Sequence, residues 1–450
     1  MSETPGLQLD FVPELTDIAA AYPSRYPFLL DSAASGPLGR HSLLLRAEEE
    51  CLSLSADGDL QGPGTGSEFL GRLKQWFDSE SIAIASNARW PFCGGWFVYL
   101  GYELAGEIEP VLKLPHPTRA LPTAFAVRCK GAIIIKHGDT DSAHIIAEDA
   151  VTLAKIQHEI SDLPAVSRQT SSSVSRLESD PEQEFINSVN RIHRYLEQGD
   201  IFQVNLSRAW SGFFDSPVNE FDLYRKLRKG NPAPFAGLMR WNDSVLMSSS
   251  PERLVEVRAR TVQTRPIAGT YPRGHDQASD NALSRAMLQH PKERAEHIML
   301  IDLERNDLGR VCRNGSVEVS EFMVLESYAH VHHIVSNVKG TLKEGVTPPD
   351  VIRAVFPGGT ITGCPKVRCM EIIAELEKTG RGFYTGSMGY ISLDGQMDLN
   401  ILIRSMLLTN GQVSLRTGAG IVADSVAQRE LAETVAKAKG VLQALEQTDA

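Results

Sequence analysis

The chain has 450 residues, of which 42% are hydrophobic and 22% charged, as is typical of a folded globular protein. Its formal net charge of −11 argues against nucleic acid as a partner, because the phosphates would be repelled. No apolar run is long enough to span a bilayer, and the first ten residues lack the basic start and apolar core of a signal peptide, so we expect a cytoplasmic protein without membrane contact.

The N-terminal part of the chain has the pattern of a β-rich region. The segments "GGWFVYLGYE" (94–103) and "GAIIIK" (131–136) predict strands. The stretch "AVSRQTSSSVSRLESDPEQ" (165–183) then brings serines and charges that cannot form a packed core. We therefore predict a β-rich region over 1–165, a linker or surface loop over 166–180, and a second region over 181–450.

Helices and strands alternate after this linker. A helix is predicted from Pro181, because apolar residues recur at helical spacing until Gly199. In "IFQVNLSR" (201–208) apolar and polar residues alternate, which predicts a strand with Gln203, Asn205 and Ser207 on one face. That polar face either lines a cavity or is solvated.

Two predicted helices carry glutamate pairs at a spacing of three residues. Glu293 and Glu296 form the first pair, and Glu430 and Glu433 form the second, in the last helix of the chain. Lys437 lies on the same stripe as the second pair. Such carboxylates suit Mg²⁺, which prefers oxygen ligands, but the same spacing is common on solvated helices. Both interpretations stay open at this point.

Glycine-rich segments follow two of the predicted strands. In "LRTGAGIVADS" (415–425) we expect a strand to end in a turn at Gly418, Ala419 and Gly420, which either serves chain reversal or holds a carboxylate on its backbone N–H groups. The segment "GGTITGCPK" (358–366) is not a phosphate-binding loop of the Walker type, because Cys364-Pro365 separates the glycine from the lysine.

Three further side chains are candidates for chemistry. Glu252 in "SSSPERL" is either an acid in a turn or a surface residue. His333 in "YAHVHHIVS" either packs in the core or acts as an acid or base. Arg404 interrupts an apolar run and is expected to pair with an anion, from either the protein or a ligand.

Seven segments in order along the chain resemble the motifs of the chorismate-utilising enzymes. They are "SSSPERL", "QTRPIAGT", "ERAEHIMLIDLERNDLGR", "HHIVS", "PGGTITGCPKVRCMEII", "GSMGYISLDGQMDLNILIR" and "GAGIVADS". That family contains anthranilate synthase component I, aminodeoxychorismate synthase component I, and isochorismate and salicylate synthases. The resemblance implies that 181–450 is the chorismate-binding catalytic region. It also implies an α+β fold with two large antiparallel β-sheets in a sandwich and helices outside.

The resemblance further implies the composition of an active site. Mg²⁺ is the implied cofactor, with Glu296 and Glu433 as direct ligands and Glu293 and Glu430 holding its waters. Glu252 is the implied general acid for the C4 hydroxyl of chorismate, and His333 matches the active-site histidine. Implied contacts to the substrate come from Thr270, Gly269, Thr362, Tyr390, Arg404, Lys437 and the backbone of Gly418, Ala419 and Gly420.

Two positions bear on the reaction. By the family resemblance, Gln203 stands at the position where isochorismate and salicylate synthases have a lysine that acts as general base for water. An amide cannot take a proton from water, so ammonia is the expected nucleophile. Ala268 stands where most aminodeoxychorismate synthases have a covalent lysine, and "PIAGT" resembles anthranilate synthases instead. The segments "HHIVS" and "TITGCPK" resemble the aminodeoxychorismate branch.

We therefore expect conversion of chorismate and ammonia to 4-amino-4-deoxychorismate, for para-aminobenzoate and folate synthesis, without a covalent lysine intermediate. The alternatives are anthranilate synthesis, which serves tryptophan, and a non-catalytic chorismate-binding subunit. No cysteine lies in a recognisable nucleophile turn, so the family resemblance implies a separate glutamine amidotransferase subunit as the source of ammonia.

Overall fold

The structure is a computed structural model that describes residues 5–34, 38–82, 89–166, 174–327 and 331–446. The strands within these ranges are β1 (Gly6–Gln8), β2 (Phe28–Asp31), β3 (His41–Leu54), β4 (Leu60–Gln61), β5 (Gly95–Leu100), β6 (Ala124–Lys136), β7 (Ser142–Ala147), β8 (Val174–Ser179), β9 (Gln203–Phe214), β10 (Phe235–Trp241), β11 (Ser244–Ser250), β12 (Arg253–Arg258), β13 (Thr261–Thr264), β14 (Ile267–Pro272), β15 (Glu318–Ser327), β16 (Val331–Thr341), β17 (Gly363–Cys364), β18 (Ser387–Ser392), β19 (Met397–Asn400), β20 (Ser405–Thr409) and β21 (Gln412–Ile421).

Helices alternate with these strands. They are α1 (Leu15–Ala21), α2 (Phe69–Glu80), α3 (Ala105–Ile108), α4 (Ala150–Ser161), α5 (Glu182–Glu197), α6 (Glu220–Gly230), α7 (Gln277–Gln289), α8 (Pro291–Val311), α9 (Pro348–Val355), α10 (Lys366–Glu377) and α11 (Ala427–Leu445). Among the residues described, none of these helices has the length and apolarity that crossing a membrane would require.

The strands form two antiparallel sheets that share β6. One sheet follows the order β1-β7-β6-β3-β2-β10-β11-β20-β21-β9-β8. The other follows β6-β5-β18-β19-β12-β13-β16, with β14 beside β13 along one edge of β16 and β15 on the other edge. The long strand β6 pairs with β3, β5 and β7, and so it joins the sheets.

The alternation of apolar side chains along the strands builds a layered core. Phe28 of β2 and Phe97 of β5 stack at 3.9 Å between their ring centroids, within the core that lies between the sheets. The next residue, Leu29, faces the opposite way and packs in a second core with helices α1, α4, α6 and α11. A third core joins α2, α8 and α9 to the other sheet. The expected sandwich with outer helices is confirmed.

The predicted linker is only partly a loop. Residues 174–179 form β8, which pairs with β9, so the prediction of a loop is wrong for this half of the segment. Its side chains are mostly exposed and polar, and the backbone hydrogen bonds of the ladder, which composition does not reveal, hold it in the sheet. Residues 167–173 of the predicted linker lie outside the described residues.

Strands from both sides of the predicted boundary alternate in the sheets. β2 pairs with β10, and β5 pairs with β18. The predicted strands at 94–103 and 131–136 correspond to β5 and to part of β6, and the predicted helix after Pro181 is α5. The N-terminal region therefore supplies strands that the C-terminal region needs to complete its sheets.

A buried ion pair at the end of α10 connects several elements. Glu377 and Arg381 lie 2.7 Å apart, and each side chain is 1% exposed. Arg381 also donates to the carbonyl oxygens of Asn205 in β9 and Ile361, at 2.8 and 3.1 Å. Glu377 accepts from the backbone N–H of Ser207 at 2.8 Å. The pair thus fixes β9 and the turn at 359–361 relative to α10.

We expect Glu377→Gln to lower the free energy of unfolding by about 3 kcal/mol, because it leaves a buried guanidinium without its counter-charge. Urea unfolding followed by circular dichroism measures the change. The control is Glu178→Gln, which removes a carboxylate from an exposed pair with Arg176 and should cost less than about 0.5 kcal/mol. Equal stability of the two variants would contradict the prediction.

Candidate active site

A buried cavity of about 150 Å³ gathers polar side chains from distant parts of the chain. It lies between β9, β16, β21, α11 and the turn that joins β11 to β12. Its lining consists of Asn205, Pro251, Glu252, Ile267, His333, Thr360, Ile361, Tyr384, Ile403, Arg404, Arg416, Thr417, Gly418 and Lys437. Glu252, His333, Arg404, Gly418 and Lys437 were expected together from the sequence, and the structure brings them together.

Glu252 is a buried carboxyl group in the β11–β12 turn. Its Oε1 accepts a hydrogen bond from the Thr360 hydroxyl at 2.7 Å. Burial raises the pKa of Glu252 to about 7, against the opposing effects of the Thr360 hydrogen bond and the Lys437 charge. Near neutral pH a large fraction of this group carries a proton, which a general acid requires.

His333 lies in β16 and is also buried. Burial lowers its pKa to about 4, although a hydrogen bond with the backbone of Gly269 opposes this effect. The imidazole is therefore neutral at pH 7 and can accept a proton. Its position at the cavity fits the predicted acid–base role, and its burial also fits a core residue, so the role of His333 stays a prediction.

Three cations face the cavity of this acidic protein. Arg404 adopts a φ of 53°, a region that non-glycine residues rarely occupy and that recurs at functional sites. Burial lowers its pKa from the ordinary value, but a guanidinium remains charged. Lys437 donates to the Gly418 carbonyl at 3.0 Å, and Arg416 lines the same wall. Lys437 pairs with Glu433 and Arg416 with Glu377, so these two charges are partly balanced within the protein.

The glycines at 418 and 420 lie within β21, so the predicted turn is wrong. They pair with β9, where Gly418 is opposite Ser207 and Gly420 is opposite Asn205. A Cβ at Gly418 would come within 2.7 Å of both the Asn205 side-chain oxygen and the Tyr384 hydroxyl, and at Gly420 within 2.5 Å of the Gln203 amide nitrogen. These glycines, with Ala419 between them, leave space for the polar side chains of the site.

Two expected substrate contacts do not face this cavity. Tyr390 lies in a second cavity of about 440 Å³, where its hydroxyl accepts from Arg258 at 2.9 Å. The Thr362 hydroxyl is fully buried and donates to the Gly358 carbonyl at 2.9 Å. The register of β18 and the turn at 359–361 thus direct these two side chains away from this cavity, against the expectation that they lie with the other substrate contacts.

Neighbouring residues take their places in the cavity. Tyr384 and Thr360 line it, together with Asn205 and Arg416. The alternation in "IFQVNLSR" already placed Asn205 on a polar face, and that face is buried, with Asn205 at the cavity. The sequence held no comparable signal for Tyr384, Thr360 or Arg416.

The remaining expected residues lie around this cavity. Gln203 is buried at the start of β9, and Ala268 lies in β14 with its backbone paired to Ile334. Gly269 has a φ of 64°, and a Cβ there would approach the Glu293 carboxylate to 2.8 Å. The backbone of Thr270 pairs with His333, and its side chain lies outside the described residues.

The expected metal ligands approach this region from two helices. Glu293 of α8 lies against Gly269, and Glu433 of α11 pairs with Lys437 at 2.6 Å. Glu296 is half-buried and Glu430 is buried. The donor type suits Mg²⁺, but no three acidic, histidine or cysteine side chains are gathered as a cation site within the described ranges.

The fold is α+β, and the cavity brings a carboxyl group, an imidazole and three cationic side chains together. The chain belongs to the chorismate binding enzyme family, which its sequence matches over residues 41–443. Enzymes of this family act on chorismate.

Similar proteins carry two different names. An anthranilate synthase component I-like protein of Synechocystis sp. is 44% identical over 437 residues, which cover 95% of this chain and 87% of that protein. Aminodeoxychorismate synthase component 1 of Bacillus subtilis is 40% identical over 389 residues, covering 84% and 82%. The crystal structure of anthranilate synthase component I from Streptococcus pneumoniae superimposes with a TM-score of 0.78 at 32% identity, covering 90% and 93%.

We expect Gly418→Ala to weaken chorismate binding at least about tenfold, equivalent to ~1.4 kcal/mol, because the added methyl group contacts Asn205 and Tyr384 inside the cavity. Calorimetric titration with chorismate measures the affinity. Gly309→Ala is the control, since a Cβ on this helical glycine meets no atom within 4 Å. Unchanged affinity in Gly418→Ala would show that chorismate binds elsewhere.

Proposed function

We propose that the protein is an aminodeoxychorismate synthase component I, which converts chorismate and ammonia to 4-amino-4-deoxychorismate and water for para-aminobenzoate and folate synthesis. The observation that carries the proposal is the buried Glu252, whose pKa burial raises to about 7, in a cavity whose described lining offers no unpaired lysine amine. Lys437 is the single lysine among the described lining residues, and it is bound to Glu433 and the Gly418 carbonyl. This arrangement supports a route in which no lysine of the described lining attacks the ring and free ammonia is the nucleophile.

The acid–base arrangement supports a noncovalent route with two ammonia additions. One ammonia adds at C2 of the ring while Glu252 gives its proton to the C4 hydroxyl, which leaves as water as the double bond shifts. A second ammonia attacks C4, the double bond returns, and the first ammonia leaves C2. The C4 ammonium then releases the proton that restores Glu252. Arg404 holds a substrate carboxylate throughout.

Ala268 and Gln203 favour free ammonia as the nucleophile in this reaction. Neither a methyl group nor an amide can attack the ring or remove a proton from water. The segments "HHIVS" and "TITGCPK" favour the aminodeoxychorismate branch, as does the name of the Bacillus subtilis relative. His332 in the first segment contacts the Asp280 carboxylate at 2.9 Å and so ties β16 to α7 beside the site.

Anthranilate synthase component I is the second candidate. Ala268 favours it through the resemblance of "PIAGT", and the neutral His333 could take the ring proton that anthranilate formation requires, with pyruvate as the leaving group. A non-catalytic chorismate-binding subunit is a third candidate. Glu252, His333 and Arg404 lie together in one cavity, which argues against a non-catalytic subunit.

Ammonia is proposed to come from a separate glutamine amidotransferase subunit, in line with the component names of the relatives. We also propose Mg²⁺ as the cofactor. Glu296 and Glu433 would be its direct ligands, and Glu293 and Glu430 would hold its waters. When bound, the ion would supply positive charge for a substrate carboxylate.

The decisive experiment is product identification by mass spectrometry, with purified protein, chorismate, Mg²⁺ and excess ammonium at alkaline pH. We expect 4-amino-4-deoxychorismate with little pyruvate. Anthranilate with equimolar pyruvate would establish the second candidate instead. Chorismate that binds but is not consumed would establish the third.

We expect Glu296→Gln and Glu433→Gln to weaken Mg²⁺ binding at least about tenfold in the presence of chorismate, because each removes a charged oxygen ligand. Titration calorimetry with Mg²⁺ measures this without turnover. Glu318→Gln is the control, because its carboxylate belongs to the similarly spaced "EVSE" segment and pairs with Lys339 on the surface. Equal Mg²⁺ affinity in all three variants would contradict the assignment of the ligands.

A further inference from the structure

Two carboxyl groups outside the active-site cavity are buried on α8. Glu304 is 6% exposed, and Asp307, one helical turn further on, is 2% exposed. Neither lines the cavity that contains Glu252. Buried carboxyl groups are costly unless they are protonated or paired, so their presence here requires a physical account.

The turn at 359–361 contacts both Glu304 and Glu252. The Thr360 hydroxyl donates to Glu252 at 2.7 Å. On the preceding residue, a Cβ built at Gly359 would lie 3.4 Å from Oε1 of Glu304. Two buried carboxyl groups therefore contact the same short turn at adjacent residues.

The positive charges near this cluster do not balance its carboxyl groups. Lys366 binds Asp307 at 2.5 Å and the Val355 carbonyl at 3.2 Å, so Asp307 neutralises it. Lys437 faces Glu252 from α11 and is itself paired with Glu433. Lys366 therefore acts on both Asp307 and Glu304, and its one positive charge does not balance two carboxylates.

Electrostatic effects on Glu304 reflect this arrangement. Burial raises its pKa to about 7, the Asp307 and Glu252 charges add to the rise, and Lys366 and the nearby Thr264 oppose it. Burial also raises the pKa of Asp307, while Lys366 and Arg310 lower it and Glu109 raises it. Glu252 and Glu304 each raise the cost of ionising the other, since like charges in a shared low-dielectric region repel.

We propose that Glu304 is a positioning residue that favours the protonated form of Glu252, because it places a second buried carboxyl group against the same turn at 359–361 that binds Glu252. This inference rests on the proposed role of Glu252 as the acid for the C4 hydroxyl. Coupled carboxyl groups lose their protons in two steps, and the second step lies at higher pH than it would for either group alone. Glu304 therefore extends the pH range in which Glu252 can act.

The test is the pH dependence of kcat/KM for chorismate consumption, at constant free ammonia, because free ammonia itself rises with pH. Activity requires protonated Glu252, so it should fall as pH rises through the upper pKa of the pair. In Glu304→Gln the like charge is absent, the pKa of Glu252 falls, and the midpoint of this decline should move to lower pH by about half to one unit. Glu304→Asp keeps the carboxylate, so the midpoint of its decline should lie close to that of the unmodified protein.

Asp302→Asn is the matched control on the same helix, because this carboxylate is 63% exposed and pairs with Arg305 at the surface. Its profile should coincide with that of the unmodified protein. An unshifted midpoint in Glu304→Gln, or a loss of activity that is uniform across pH, would overturn the inference, since either result would leave Glu304 with a packing role only. Thermal unfolding of each variant confirms that it is folded.

Glu252→Gln separates this inference from the proposed function. Full activity in Glu252→Gln would overturn the assignment of the acid and the inference with it. Loss of activity in Glu252→Gln together with an unshifted profile in Glu304→Gln would overturn the inference alone. Because chorismate consumption is measured, the result does not depend on which product is formed.

Discussion

The ion pair between Glu377 and Arg381 is the contact on which the geometry of the cavity depends. Its two side chains are buried almost completely, and they hold the carbonyl of Asn205, the carbonyl of Ile361 and the backbone of Ser207. These groups belong to β9 and to the turn that presents Thr360 to Glu252. A buried pair of this kind adds little stability by comparison with apolar packing, but it defines one arrangement of its neighbours.

Burial then creates the protonation states that the site needs. The same loss of water raises the pKa of Glu252 and lowers that of His333, because in each case the charged form is disfavoured. An acid that keeps its proton and a base that lacks one can therefore coexist at one pH. Arg404, which lines the same cavity, retains its charge under the same burial.

The sequence predicted those features that depend on local periodicity or on ordered motifs. The strands at β5 and β6, the helix α5 and the polar face of β9 followed from spacing, and Glu252, His333 and Arg404 followed from the family resemblance. Tyr384 was missed because it precedes the motif "GSMGYISLDGQMDLNILIR". Tyr390 lies within that motif but lines the second cavity, and this orientation depends on the pairing of β18 with β5 and β19. The two glycines of β21 were likewise taken for a turn, since their close approach to β9 is a long-range contact.

The position of Ala268 at the start of β14 can be understood from its neighbours. Arg265, which precedes it, is held by Glu321 and Glu326 at 2.5 and 2.6 Å, and Gly269, which follows it, contacts Glu293 and the backbone-bound His333. These contacts and the pairing with β16 therefore fix the backbone of this strand beside His333 and Glu293. A small residue at position 268 leaves space there, and under the proposed function that space is where ammonia, rather than a lysine side chain, approaches the ring.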